Sequence, residues 1–233
     1  METKSNIIKV SGLKKYYTVG GNIVRALDGV DITVKKGEFV SIMGRSGSGK
    51  STLLNMLAGL EGPTQGSIRI NGQSVGRMNE KARINFRRKN IGFVFQSYNL
   101  MHQYTTLENV ALPLAIRGVP FKQRSELAEE ALVRVGLKEY IKHRPSELSG
   151  GEQQRVGIAR ALITNPPIIL ADEPTGNLDT RTGKEVMELL TGIFKESQTT
   201  FLLVSHDPEM EQYTDRTIRL QDGRLCNTFW EEK

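Results

Sequence analysis

The residues with the plainest chemistry stand at 44–52. Gly44, Arg45, Ser46, Gly47, Ser48, Gly49, Lys50 and Ser51 satisfy the pattern G-x-x-x-x-G-K-[ST] in full, and Thr52 follows. They come after the apolar run "FVSIMG" and before "STLLNMLAGL", so the loop is expected between a buried strand and a helix. In such a loop the glycines let backbone N–H groups turn inward onto phosphates, and the helix N-terminus adds its dipole. Lys50 supplies a positive charge at the outer phosphates, and the Ser51 hydroxyl is placed to ligate Mg²⁺. The chemistry implied is the binding of a nucleoside triphosphate. A flexible glycine–serine linker is the bland alternative, and the flanking strand and helix count against it.

Hydrolysis needs an acid and a water-directing group near those phosphates. "PPIILADEP" ends an apolar run with Asp172 and Glu173, and strand ends in open α/β sheets are where ligands bind. Asp172 is expected to hold Mg²⁺ through water, and Glu173 to orient or deprotonate the attacking water. Gln96, closing "IGFVFQ", and His206, after "FLLVS", also follow short apolar runs. Alone, the histidine reads as structural and the glutamine as a strand cap. Their shared position at strand ends brings them into the candidate set, with Gln96 as a further Mg²⁺ ligand.

A second serine–glycine–glycine turn opens "LSGGEQQRVGIARAL". Ser149, Gly150 and Gly151 at a helix start form another anion-binding element. The loop at 44–51 already wraps one set of phosphates. The economical arrangement is therefore a symmetric pair of chains, each placing its 149–151 turn over the other's γ-phosphate.

The elements that must position these residues are visible as alternation. Strands are expected at "NIIKVSGL", "RALDGVDITVKKGE", "FVSIMG", "NIGFVFQ", "PIILADE" and "TTFLLVSHD", and hairpins at Asn71-Gly72 and within "IRLQDGRLC". Helices are expected after the phosphate loop, through "RSELAEEALVRVGL" with Leu127, Ala131, Leu132 and Val135 on one face, after Ser149, and through "GKEVMELLTGIFKES". The fold class is α/β: a mostly parallel sheet core, an N-terminal antiparallel β subdomain, and a helical subdomain inserted at about 98–158, leaving 1–97 and 159–233 as the core. The 233 residues suit one such domain. No run approaches the roughly 18 apolar residues of a membrane span, "METKSNIIKV" does not read as a signal peptide, and the single cysteine, Cys226, fits a reducing cytoplasm. The net charge of +6 is spread along the chain and densest only at "NFRRKN", which reads as solvated surface, so no nucleic-acid partner is expected.

The ordered set "GRSGSGKST", Gln96, "LSGGEQQR", "IILADEP", "NLD" at 177–179 and His206 resembles the nucleotide-binding subunit of ATP-binding cassette (ABC) transporters, and the resemblance covers essentially the whole chain. "FVSIMGRSGSGKSTLLNMLAGL", "IGFVFQSYNL" and "TLENVALPL" narrow it to the branch of lipoprotein-releasing, macrolide-exporting and antimicrobial-peptide-resistance ATPases, with the cell-division member close by. The resemblance implies a P-loop NTPase fold of the ABC type that hydrolyses ATP with Mg²⁺. Tyr17 would stack on adenine, with Tyr16 as the alternative. Gln96 would sense the γ-phosphate, His206 would hold it, Glu173 would be the catalytic base, and Asp179 would lie at the seam of the homodimer. The implied partner is a membrane-spanning permease with an extracytoplasmic domain, the chain sitting on the cytoplasmic face of the membrane. Glu152 departs from the commonest family version, which has glutamine. Leu100-Met101-His102-Gln103 departs from the branch's usual turn, where the partner is expected to dock.

Three other readings compete. A soluble cassette acting on ribosomes or DNA would carry tandem cassettes or a long coiled-coil insert, and this chain has neither. A phosphate-loop kinase would lack "LSGGE". A regulatory cassette of a cell-division-type complex, transporting nothing, is not separated by the sequence.

Overall fold

The computed structural model describes residues 5–197 and 199–226. The tail "CNTFWEEK" and Trp230 therefore lie outside the described residues, except for Cys226, which is half-buried. The chain divides into two compact units, 1–87 with 202–233, and 88–201.

The first unit opens with two long strands, β1 (Asn6–Val19) and β2 (Asn22–Lys35). On β2, Val30, Ile32 and Val34 are buried while Asp31, Thr33 and Lys35 are exposed, the period of two that a half-buried strand requires. They form a four-stranded antiparallel sheet, ordered β2-β1-β4-β5, with β4 (Gln65–Ile70) and β5 (Gln73–Ser74). Asn71 and Gly72 join these last two with φ of 48° and 76°, the left-handed pair that the Asn-Gly dipeptide predicts. Strand β3 (Phe39–Met43) is buried at all five positions and pairs parallel with β9 (Arg216–Gln221), which turns antiparallel into β10 (Arg224–Cys226). Helix α1 (Lys50–Leu57) follows β3 and buries Leu53, Leu54, Met56 and Leu57. Helix α2 (Glu80–Asn90) occupies the basic stretch read as solvated surface. It carries buried Phe86, and its Arg87 donates to the Gly59 carbonyl at 2.8 Å, so part of that charge is structural.

In the second unit β6 (Ile91–Val94) and β7 (Ile168–Asp172) pair in parallel. Between them, among the described residues, lie only helices and turns: α3 (Thr106–Ile116), α4 (Phe121–Arg134) and α5 (Gly150–Leu162). Helix α3 starts on a capping box in which the Thr105 hydroxyl accepts from the Glu108 N–H and Glu108 reaches back to the Thr105 N–H. Helix α4 begins earlier than the sequence expectation and buries a different stripe. Ala128, Leu132 and Val135 face inward, while Leu127 is exposed at 37%. Ala128, Leu132 and Val135 lie at the 3–4 residue spacing of one face, and it is the face that packs inward. Gly136, at φ 75°, stops it as read. Helix α6 (Thr180–Glu196) buries Gly183, Val186, Met187, Leu190 and Ile193 along one side, each large side chain contributing about 1.5–3 kcal/mol. Strand β8 (Thr200–Ser205) is buried at every position. Among the described residues no helix is long and apolar enough to cross a membrane.

Candidate functional site

In the first unit, buried β3 delivers the chain to Gly44, and α1 carries it away from Gly49. Gly49 sits at φ 101°, and a Cβ there would collide with the Ala26 carbonyl oxygen, so only glycine lets the loop lie against β2 at this point. No side chain caps α1 among the described residues; a helix N-terminus favours an anion through its dipole. Lys50 is buried, and its ammonium donates to the Gly44 carbonyl at 2.7 Å and the Arg45 carbonyl at 3.0 Å. Those two bonds hold the charge within the loop rather than in solvent. Ser48 Oγ is buried without a hydrogen-bond partner among the described residues, an orphan that a phosphate oxygen would satisfy. Arg45, Ser46 and Gly47 line the exposed rim, Ser51 is exposed, and Thr52 is half-buried.

The two tyrosines of β1 point to different partners. Tyr17 donates to Glu61 Oε2 at 2.6 Å and is also hydrogen-bonded to the Thr52 side chain, so it lies beside the start of α1. Burial, then the Glu61 contact, pushes its phenol up to about 12. Lys15 covers the Tyr17 ring at 4.9 Å and pairs with Glu61 at 3.1 Å. Tyr16 instead donates to Asp28 at 2.6 Å. His206, in the same unit, is exposed one residue past the end of β8, where Asp207 caps a short 3₁₀ turn.

In the second unit Asp172 ends β7 half-buried, and Glu173 leaves it with φ 43°. A left-handed glutamate costs roughly 1–2 kcal/mol, and the kink swings its carboxylate off the line of the strand. Gln96 meets it there: a Cβ on Gly176 would lie 2.7 Å from Gln96 Nε2 and 3.3 Å from Glu173 Oε2. The turn is tied down by Asn177 Nδ2, which donates to the Gln96 carbonyl at 3.0 Å, and by buried Gln154 Nε2, which donates to the Pro174 carbonyl at 2.6 Å. After Gln96, Tyr98 and Asn99 both take positive φ, 60° and 50°. Arg160 of α5 chelates their two carbonyls at 2.7 and 2.6 Å.

Ser149 is the exposed N-cap of α5, as expected for the second serine–glycine turn. Glu152 closes a capping box on it, taking the Ser149 N–H at 2.7 Å and the Ser149 hydroxyl at 2.8 Å. Desolvation opposes ionisation of Glu152, but these bonds and one from Tyr140 outweigh it and lower its pKa. A Cβ on Gly150 would lie 2.9 Å from the Tyr98 hydroxyl, and one on Gly151 would strike Thr182. Asp179 caps α6, accepting from the Arg181 and Thr182 N–H groups and from the Thr182 hydroxyl. The second unit thus joins Gln96 to Glu173, and the 149–151 turn to Asp179.

Sequence reading gave no role to Gln154, Arg160, Tyr98 or Glu61, and took Asn177 only as part of "NLD". Gln154, Arg160 and Asn177 act through backbone carbonyls far away in the chain, which no local pattern reveals. For Tyr98 the usable signal was an aromatic beside an asparagine directly after Gln96.

No cluster of three or more His, Cys, Asp or Glu side chains able to hold a metal exists among the described residues. Mg²⁺ draws on one or two protein oxygens plus phosphates and water and needs no such cluster. Within the second unit, Asp172 at the end of β7 and Gln96 just past β6 offer hard oxygens of the kind Mg²⁺ takes.

A phosphate loop at a helix start, an acid-ended strand and a capped serine–glycine turn define a nucleotide-hydrolysing cassette. The ABC transporter family model matches residues 27–176. The chain is 46% identical over 219 residues to the lipoprotein-releasing system ATP-binding protein LolD of Chromohalobacter salexigens, covering 94% of this chain and 92% of that one. It is 44% identical over 221 residues to the macrolide export ATP-binding/permease protein MacB of Wolinella succinogenes, 95% of this chain but 34% of that longer one. A solved dimeric post-hydrolysis state of the ATP-binding cassette MJ0796, bound to ADP and Pi, superposes with a TM-score of 0.87 at 43% identity, covering 94% of this chain and 96% of that chain. The chain belongs to the ABC transporter family. It is an ABC ATPase subunit, the part of such a system that powers a membrane partner.

Proposed function

We propose that two copies of this chain close around two ATP molecules, each copy completing the other's site with Ser149, Gly150 and Gly151. The observation that carries this reading is the exposed N-cap of α5, a second anion-binding helix start in a chain whose phosphate loop already has one. The dimeric state of the MJ0796 cassette supports it.

In this reading residues 44–52 wrap the triphosphate through backbone N–H groups, with Lys50 against the outer phosphates. Tyr17 stacks on adenine, its ring held by Glu61 and Lys15, while Tyr16 is committed to Asp28. Ser51, Asp172 and Gln96 hold Mg²⁺, which when bound neutralises charge on the phosphates. Glu173 takes a proton from the attacking water, and Gln96, beside it at Gly176, orients that water. His206 donates to the γ-phosphate. Closure is favoured because ATP binds the closed pair better than the open one, and hydrolysis removes that difference.

The stretch 98–158 forms the helical subdomain between the two segments of the core. Its exposed Met101 and Tyr104 face a permease bearing an extracytoplasmic domain, and the chain sits at the cytoplasmic side of the membrane. The cargo class follows the relatives' names: a lipoprotein or a macrolide.

The test is the solution mass of Glu173→Gln with and without ATP at matched concentration. Blocking hydrolysis should trap the closed state, giving a dimer with ATP only. A monomer under both conditions overturns the paired site.

A further inference from the structure

Asp28 lies on β2, away from every motif, yet three side chains converge on it. Tyr16 donates to its Oδ1 at 2.6 Å, Arg224 of β10 donates to its Oδ2 at 2.7 Å, and Lys14 stands 3.9 Å off. The hydrogen bonds from Tyr16 and then Arg224 hold its carboxyl down at about 2, so the group is charged at any working pH. An aspartate gathering a phenol, a guanidinium and an ammonium on a half-exposed strand is more than solubility requires.

The backbone shows where that grip leads. The Asp28 N–H donates to the Gly223 carbonyl at 2.8 Å, and the Gly223 N–H donates to the Ser48 carbonyl at 3.0 Å. Ser48 is the middle of the phosphate loop. Asp222 and Gly223 form the β9–β10 turn with φ of 48° and 74°. A Cβ on Gly223 would lie 2.9 Å from the Ala26 carbonyl oxygen, the same oxygen that a Cβ on Gly49 would strike. The turn is therefore wedged between β2 and the phosphate loop, with residues 26–28 as the common wall. On the other side Tyr16 adjoins Tyr17, whose hydroxyl reaches Glu61 and Thr52.

We infer that Asp28 and Arg224 are positioning residues for the nucleotide: one carboxylate fixes the β9–β10 turn that braces Ser48, and through Tyr16 fixes the strand carrying Tyr17. Neither touches the reacting atoms. They set the spacing between the base-binding and phosphate-binding ends of the site, so their loss weakens nucleotide affinity and leaves the chemical step intact. The inference rests on residues 44–52 being the phosphate site.

The experiment measures ATP affinity with a fluorescent ATP analogue displaced by unlabelled ATP, together with kcat and the melting temperature. The full chain carries Asp28→Asn, Arg224→Ala, Arg224→Lys or, as a control, Lys50→Ala. The expected result is a dissociation constant raised about fivefold or more in Asp28→Asn and Arg224→Ala, the scale of one lost charge-assisted hydrogen bond. In both, kcat stays within about twofold; the melting temperature barely moves in Arg224→Ala, whose side chain is 67% exposed, and falls in Asp28→Asn, which loses a carboxylate held at low pKa. Arg224→Lys, keeping the charge, recovers part of the affinity. Unchanged affinity in Asp28→Asn and Arg224→Ala beside a large loss in Lys50→Ala overturns the inference alone. A parallel fall of affinity, kcat and melting temperature overturns it in favour of plain structural support. If Lys50→Ala binds ATP as tightly as the parent, the phosphate-site reading itself fails.

Discussion

Glu152 places a carboxylate on the one serine that the paired reading needs for a phosphate. Its oxygen accepts the Ser149 hydroxyl proton at 2.8 Å, so a γ-phosphate must win that proton from a charged rival. A glutamine can keep the capping box while donating to the serine, which frees the hydroxyl proton and removes a like charge. Two unit charges about 4 Å apart repel by about 1 kcal/mol in water. Glu152→Gln in the Glu173→Gln background should thus dimerise at roughly fivefold lower ATP, read by light scattering across an ATP titration. An unchanged midpoint would mean that the Glu152 carboxylate does not compete. Gln96 offers a second check. Its amide is pressed against the Gly176 backbone, so Gly176→Ala should displace it and cut kcat about tenfold or more, with ATP affinity held.

At the scale of elements, α5 does three jobs along its length. Its N-terminus presents Ser149, Gln154 holds the Pro174 carbonyl of the acid turn, and Arg160 holds the left-handed pair Tyr98 and Asn99. Arg160 is half-buried and burial lowers its pKa, so its removal leaves two carbonyls without their donor. Arg160→Ala should cost about 2 kcal/mol, a drop of roughly 4–8 °C in melting temperature, and should slow hydrolysis more than it weakens ATP binding. Thr105→Ala, which removes only the cap of α3, should cost about 1 kcal/mol and leave kcat unchanged. The two melts side by side separate a cap from a coupling residue. How much of this was legible follows from range. The phosphate loop, the acid after "PIILA" and the Ser149 helix start are contiguous words whose residue types force their own geometry, and the structure places each where the words say. The starts of α3 and α4 were missed: Thr105 with Glu108 is a capping-box spacing ahead of an apolar run that went unused, and which face of α4 turns inward is decided by what it packs against. Contacts such as Arg160 with Tyr98, or Arg224 with Asp28, join positions 62 and 196 residues apart, and no local periodicity encodes them.

For the whole molecule, stability should follow its carboxylates. Asp28, Glu38, Glu61, Glu108, Glu152 and Asp179 all have folded pKa values below their ordinary ones. A depressed folded pKa contributes stability that is present above the unfolded value and disappears as pH falls through the folded one. Melting temperature should therefore be flat from pH 7 to about pH 5 and fall steeply below about pH 4, monitored by circular dichroism. A fall already complete at pH 6 would point to histidines instead. Bound ATP should raise the plateau by about 2.7 kcal/mol at a hundred times its dissociation constant. The left-handed Glu173 works against this stability. Asparagine accepts that backbone more readily than glutamate, so the substitution that relaxes the acid turn also removes the proposed base. A library of this chain sorted by heat tolerance alone would enrich for Glu173→Asn, and its survivors would be robust proteins that no longer turn over ATP.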